Sequence, residues 1–247
     1  MKELVRKLVP LSIRRARRDF LRRRQWKSFE KLPLKEIFHR IYTDGTWTAS
    51  PGQTGFYSGS GSHSQALVAP YVEAVATFLR TLPSKPVVAD LGCGDFAVGS
   101  QLRPFCSKYI ACDVVEPLIE ENRKRFASLD VDFRALDITA DALPPADVAF
   151  VRQVLQHLSN AHVQSIVAKA ARAYRFLIVT EHLPAQSFVP NLDKPAGPHV
   201  RINSGGPPSG VVLTAPPFNL HPLRESVLCE VRDYLGVIRT TLYELHQ

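Results

Sequence analysis

The sequence has only four cysteines in 247 residues, with no Cys-x-x-Cys pair and no Cys/His cluster at zinc spacing. That excludes a disulfide framework or a structural zinc site as the organising device and fits a reducing cytosol. No run of 18 apolar residues occurs, so no membrane-spanning helix is expected. The basic first 25 residues are not followed by an apolar stretch and a small-residue cleavage site, which argues against a secretory signal. Internal repeats and low-complexity composition are also lacking, and 45% hydrophobic residues are ample for a core.

The net charge of +8 is unevenly placed. Residues 1–31 hold 12 Lys+Arg against 3 Asp+Glu, and the remaining 216 residues are near neutral at −1. The basicity is therefore a property of an N-terminal arm, and a nucleic-acid partner is not expected of the body. Leu4, Val5, Leu8 and Leu11 recur at helical spacing in that arm, interrupted by Pro10. A basic amphipathic segment of this kind suits an anionic membrane surface or an acidic partner, with packing on the domain as the alternative. The expected location is cytoplasmic, with a peripheral membrane contact open through residues 1–31.

Three regions follow from composition: a basic helical arm over 1–42, a Gly/Ser-rich segment over 43–64, and a main domain over 65–247. The middle segment contains Gly45, Gly52, Gly55, Gly59 and Gly61 with Trp47, Phe56 and Tyr57 among them. Aromatic residues in a Gly-rich stretch favour a lid over a linker. Apolar residues from Leu67 to Leu82 repeat at helical spacing, with Pro70 expected in the first turn. From Pro86 onward β-branched runs alternate with helical patterns. Strands are predicted at Val87–Asp90, Tyr109–Asp113, Val131–Leu136, Val148–Val151 and Phe176–Thr180, with helices at Val115–Leu129 and Asn160–Ala173. This alternation predicts an α/β doubly wound, mostly parallel sheet. Val211–Thr214 and Val237–Leu245 are expected to add an antiparallel edge, with a helix around Arg224–Leu235 between them, for about seven strands in all.

The strongest signal is VVADLGCGDFAVGSQL. A hydrophobic run ends in Asp90, turns through Gly92 and Gly94, and enters a helical pattern. Glycines there permit a sharp turn and close approach of a ligand to a helix N-terminus. A strand–GxG–helix also serves dinucleotides, so the downstream spacing decides. Asp113 ends the second predicted strand 23 residues after Asp90, where a carboxylate suits ribose hydroxyls. Asp137, with Ile138 beside it, follows the third strand 24 residues later, where an acid suits a nucleobase amino group. Each acid alone reads equally as a helix cap or surface group. Three at successive strand ends point to a nucleoside ligand.

This pattern resembles class I S-adenosylmethionine-dependent methyltransferases over roughly residues 85–180. The resemblance implies a Rossmann-like methyltransferase fold, with Asp90, Gly92 and Gly94 at the methionine moiety, Asp113 at the ribose, and Asp137 and Ile138 at the adenine. The third glycine of the family motif is missing, with Asp95-Phe96 following Gly94. The strings SGSGS, LGCGDF, VRQVLQHLS and APPFNL further resemble bacterial sugar and polysaccharide O-methyltransferases. In that subgroup the Gly/Ser segment closes over the cofactor, which would bring Tyr57, Ser58, Gly59 and Ser62 to it.

After the fourth predicted strand, Arg152, Gln153, Gln156 and His157 occupy the reaction edge, with Gln153 assigned to the cofactor side. Methyl transfer to a hydroxyl is helped by a base, and His157 is the first candidate, with a purely structural histidine as the alternative. Glu181 and His182 are the second catalytic pair; no spacing demands a metal. His199, Arg201 and His221 are expected to shape an acceptor pocket. APPF at residues 215–218 lacks the Asn/Asp of amino-methylating motifs and sits in the wrong place, which disfavours DNA-base methylation. The expected reaction is O-methylation of a saccharide or small-molecule hydroxyl. The rivals are a NAD-type oxidoreductase, which lacks a Tyr-x-x-x-Lys pair here, and a non-catalytic nucleoside-binding protein.

Overall fold

A computed structural model describes residues 29, 32–47, 55–204 and 206–246. Most of the basic arm and the centre of the Gly-rich segment lie outside the described residues, so the membrane or partner role assigned to 1–31 does too. Seven strands form one sheet in the order β3-β2-β1-β4-β5-β7-β6. They are β1 (Val87–Leu91), β2 (Lys108–Asp113), β3 (Asp132–Ala135), β4 (Val148–Arg152), β5 (Phe176–Pro184), β6 (Arg224–Arg232) and β7 (Gly236–Glu244). β1 to β5 pair in parallel; β7 runs antiparallel between β5 and β6.

The strands form where β-branched and aromatic residues feed both faces of the sheet in strict alternation. Ala89, Leu91, Cys112, Val151, Leu177 and Val179 point to one face. There they meet α1 (Leu34–Thr43) through Leu34, Ile37 and Ile41, and α6 (Asn160–Ala173) through Val163, Ile166 and Ala170. Val88, Tyr109, Ala111, Phe150, Phe176 and Ile178 point to the other, against Val68, Tyr71, Val75 and Leu79 of α3 (Gln65–Thr81) and Ile119 of α5 (Glu116–Arg125). Each fully buried aliphatic or aromatic chain contributes roughly 1.5–3 kcal/mol, so both faces are anchored. The parallel register sets Leu91 beside Cys112 and Asp113 beside Ala135, so the strand-end acids reach one rim.

Three local expectations are corrected. Arg224–Leu235 is not a helix: it is strand β6 and the turn after it. Val227, Val231 and Leu235 imitate helical spacing, yet β6 is an edge strand with an irregularity at Val227/Cys229, which breaks the period-2 pattern. Val211–Thr214 forms no strand; Val211 and Leu213 are buried loop residues against the α6 face. Finally, α3 begins five residues before Pro70. Its first turn is closed by Leu67 and Val68 N–H groups donating to the Ser64 carbonyl, both 2.9 Å, and Val68 and Tyr71 pin it to the sheet. Packing therefore outweighs the single ladder bond that Pro70 cannot make.

Candidate active site

The C-terminal ends of β1, β2, β4 and β5 open on a cavity of about 370 Å³. Open parallel sheets bind ligands there. Asp90, Gly92, Gly94, Asp113, Asp137, Ile138, Gln153, Ser58, Gly59, Ser62, His157 and His182 all line it. Five sequence candidates do not: Tyr57, Glu181, His199, Arg201 and His221. Tyr57 stacks on the His63 ring at 4.2 Å, and Glu181 is buried beneath the wall.

The glycine loop is held from three sides. Gly92 and Gly94 have φ of 89° and 56°, values that a side chain strains. A Cβ on Gly92 would stand 2.5 Å from Val154 Cγ2, and one on Gly94 would overlap the Ser58 hydroxyl. The Gly94 N–H donates to Asp113 Oδ2 (3.1 Å), and the buried Asn122 amide of α5 donates to the Gly94 carbonyl (2.7 Å). The cradle thus keeps its space only because these positions lack side chains.

The strand-end acids are buried, and that shapes their charge. Burial pushes Asp90 up to about 7, against the Tyr109 hydroxyl that donates to its Oδ2 at 2.9 Å. Asp113 is raised to about 6 by the same desolvation, opposed by N–H donors that include Val115 and Gly94. A cationic ligand group beside either carboxyl favours its ionised form. Asp137 Oδ1 accepts from the Thr139 N–H (2.8 Å) and hydroxyl (2.6 Å), so this acid also holds its own turn.

The Gly/Ser segment is tied onto this loop. The Ser58 N–H donates to Asp95 Oδ2 (2.9 Å), and the Asp95 N–H donates back to Ser58 Oγ (2.8 Å). The Tyr42 hydroxyl lies 3.1 Å from Ser58 Oγ, and His63 Nε2 lies 2.6 Å from Asp95 Oδ2. Arg152 donates to the Gly61 carbonyl (2.7 Å), its guanidinium set over Tyr71. Sequence reasoning missed Asp95, His63 and Tyr42 as a clasp. Phe96 (φ 59°) stands where the family's third glycine would, with Asp95 just before it; nothing local marked Asp95, His63 or Tyr42 as partners.

The other side of the cavity is built from distant segments: Leu34, Phe38 and Trp47, the turn at residues 155–158, and residues 198–203 and 233–235. His157 packs its ring 5.0 Å from Trp47, and its Nδ1 lies 3.3 Å from the Gly197 carbonyl oxygen. Burial lowers it to about 3, and the Lys194 charge adds to that, so it is neutral at physiological pH. Glu181 Oε1 accepts the Leu155 N–H (3.1 Å), bracing the turn that carries His157. Burial raises Glu181 to about 8, against the Arg201 charge. Arg201 is itself buried and donates to the Leu192 (2.6 Å) and Leu158 (2.7 Å) carbonyls, stapling the 190s loop to that turn. Arg201 and Glu181 therefore support the wall from behind. Among the described residues, no group of three or more His, Cys, Asp or Glu side chains is placed to hold a metal ion.

Residues 88–175 match the family described as a methyltransferase domain. No curated protein matches the chain. The fold is similar to that of the N-methyltransferase NodS from Bradyrhizobium japonicum WM9, solved with S-adenosyl-L-homocysteine (TM-score 0.58, 12% identity, covering 83% of this chain and 97% of that one). It is similar also to human N-acetylserotonin methyltransferase with S-adenosylmethionine (TM-score 0.60, 17% identity, 96% and 68% covered). A third likeness is to magnesium protoporphyrin IX methyltransferase from Synechocystis PCC 6803 (TM-score 0.55, 17% identity, 85% and 96% covered). The match over residues 88–175, a fold shared with methyltransferases solved with S-adenosylmethionine or S-adenosylhomocysteine, and a side-chain-free cradle beside two buried acids are all consistent with S-adenosylmethionine as the cofactor.

Proposed function

We propose that this enzyme methylates a hydroxyl oxygen of a saccharide or small molecule. The observation that carries the reading is a pair of histidines on one wall of the cavity, His157 at the turn leaving β4 and His182 near the end of β5. A hydroxyl must lose its proton as its oxygen takes the methyl group, so a wall with proton acceptors suits it. Tyr234, 88% exposed at the cavity rim, and Trp47 and Phe38 inside offer ring faces to the C–H face of a sugar. The bound cofactor supplies an electrophilic methyl group, its sulfur keeping the bonding pair as the hydroxyl oxygen forms the new bond.

The chain's own residues bind and align. In this reading Asp90 with the Gly92–Gly94 loop takes the methionine part, Asp113 the ribose, and Asp137 with Ile138 the adenine. Ser58, Gly59, Ser62 and Gln153 close the cavity from above, and Tyr57 acts behind them by stacking on His63. The Gly/Ser-rich segment over 43–64 serves as the lid, its Ser58 set beside Tyr42 of α1. Holding oxygen, carbon and sulfur in line and excluding water supplies most of the rate gain.

Calorimetric titration with S-adenosylhomocysteine, with NAD as control, tests the cofactor half. One-to-one binding of the first alone is expected; binding of NAD alone would return the oxidoreductase reading. A screen of sugars and small alcohols with S-adenosylmethionine, read by S-adenosylhomocysteine release, then tests the acceptor class. Turnover with amines alone would overturn the hydroxyl reading.

A further inference from the structure

The two histidines of the acceptor wall differ in the charge that faces them. His157 is held neutral chiefly by burial, to which the charge of Lys194 adds. His182 faces the Asp233 carboxylate, Nε2 to Oδ2 3.5 Å, with both residues on the cavity wall. Contacts of this kind commonly tighten when substrate fills the site.

The turn that carries Asp233 is firmly seated. The Asp233 N–H donates to the Gly236 carbonyl (2.9 Å), and the Gly236 N–H returns to the Asp233 carbonyl (3.2 Å). A Cβ at Gly236 would overlap the Leu183 carbonyl, so the missing side chain lets the turn close on β5, one residue beyond His182. Asp233 Oδ1 accepts the Tyr234 N–H at 2.6 Å, which fixes the carboxylate and leaves Oδ2 for the imidazole. Across β7 the neighbour of His182 is Ile238, and the nearby Arg239 is engaged by Glu230. The charge acting on His182 is therefore that of Asp233, working against burial.

We propose that His182 receives the acceptor's proton and that Asp233 is its positioning residue, so the β6–β7 turn completes the acceptor site. This rests on the hydroxyl-methylation reading. Nε2 is buried, 3.5 Å from Asp233 Oδ2 and without a hydrogen-bond partner as it stands; closing that gap would place its N–H on the carboxylate and leave the Nδ1 lone pair for the acceptor. As the hydroxyl oxygen uses a lone pair for the new C–O bond, its proton moves to Nδ1, and the carboxylate stabilises the resulting imidazolium. The proton later leaves to water. His157, kept neutral by burial and set with its Nδ1 3.3 Å from the Gly197 carbonyl oxygen, remains a hydrogen-bonding group that orients the acceptor.

The test follows the ring nitrogens of the ¹⁵N-histidine-labelled full chain through a pH titration by NMR, with His182→Gln and His157→Gln assigning the signals. His182 is expected to titrate at higher pH than His157. Asp233→Asn should lower the His182 midpoint by about half a pH unit or more, Asp233→Glu should restore it, and His157 should not move. An unmoved His182, or a His157 that titrates above it, overturns the proposal. Each titration is run with and without S-adenosylhomocysteine, so failure of the cofactor to bind sinks the methylation reading while the pair is still read. With an acceptor that turns over, Asp233→Asn should cut kcat about 10–100-fold with the acceptor KM within about twofold. Unchanged kcat would equally overturn the assignment.

Discussion

The two halves of the cavity, assigned in the proposed reading to cofactor and acceptor, are made differently. The cofactor half comes from consecutive strand ends within some fifty residues, Asp90 to Ile138, set side by side by the parallel register. The acceptor half gathers α1, the turn after β4, the 190s loop and the β6–β7 turn from across the chain. The first is acidic and shaped by missing side chains. The second is aromatic, carries the histidines and is braced from behind by buried charges. A rigid sheet rim suits a ligand held in one fixed pose, whereas a wall gathered from loops can be altered one loop at a time.

The sharpest way to break this comparison is to fill the cradle. Gly94→Ala adds a Cβ that overlaps Ser58 Oγ at a positive φ, so both the loop and the clasp must shift. S-adenosylhomocysteine affinity is expected to fall about 100-fold, or about 2.7 kcal/mol. The double variant Gly94→Ala/Ser58→Gly should recover part of it. Calorimetry reads both, and a loss under about threefold in the single variant would show that the cradle does not need its open space.

Next in size is Asp113→Asn, expected to weaken the same binding about 30-fold while leaving the fold intact. The amide keeps an acceptor for one of the Val115 and Gly94 N–H groups but sets a donor against the other. An unchanged affinity would reduce Asp113 to a loop brace.

The cofactor half should also be the pH-sensitive half. Asp90 sits at about 7 because burial disfavours its charge, well above an exposed aspartate. A carboxyl raised on folding makes the fold less stable as pH rises through the window between 3.8 and about 7. Binding a ligand ammonium has the opposite sign, because it requires the ionised acid. S-adenosylhomocysteine should therefore bind about tenfold more tightly at pH 8 than at pH 6, and Asp90→Asn should bind weakly with a flat profile. A profile as steep in Asp90→Asn as in the parent would assign the proton elsewhere.

The same contrast explains what was legible in the sequence. Asp90, Asp113 and Asp137 could be located because each follows a short β-branched run, and parallel strands in register bring such ends together. The clasp of Ser58 with Asp95 and His63 joins segments more than thirty residues apart, and no spacing rule links them. Asp233 was hidden more thoroughly. The edge strand before it has apolar residues at intervals of four, so Arg224–Leu235 read as a helix, and a helix would not deliver a turn to the end of β5. Where one strand's type was misjudged, the site residue beyond it was lost as well.

The smallest expected effect is the most discriminating. If the halves are separate, His182→Gln should change S-adenosylhomocysteine affinity by less than about twofold, since substitutions without shared partners are independent. His182 contacts Asp233 on the β6–β7 turn, and none of its hydrogen bonds or ion pairs reaches the glycine loop, Asp90 or Asp113. Gln at this position keeps a polar group of similar length beside the carboxylate, so the turn against Leu183 is retained. A weakening beyond about threefold would mean that the acceptor wall reaches the cradle through the turn after β4, where Glu181, the neighbour of His182, holds the Leu155 N–H. In that event Glu181→Gln should weaken binding in the same proportion, and the two substitutions together should cost less than the sum of the two.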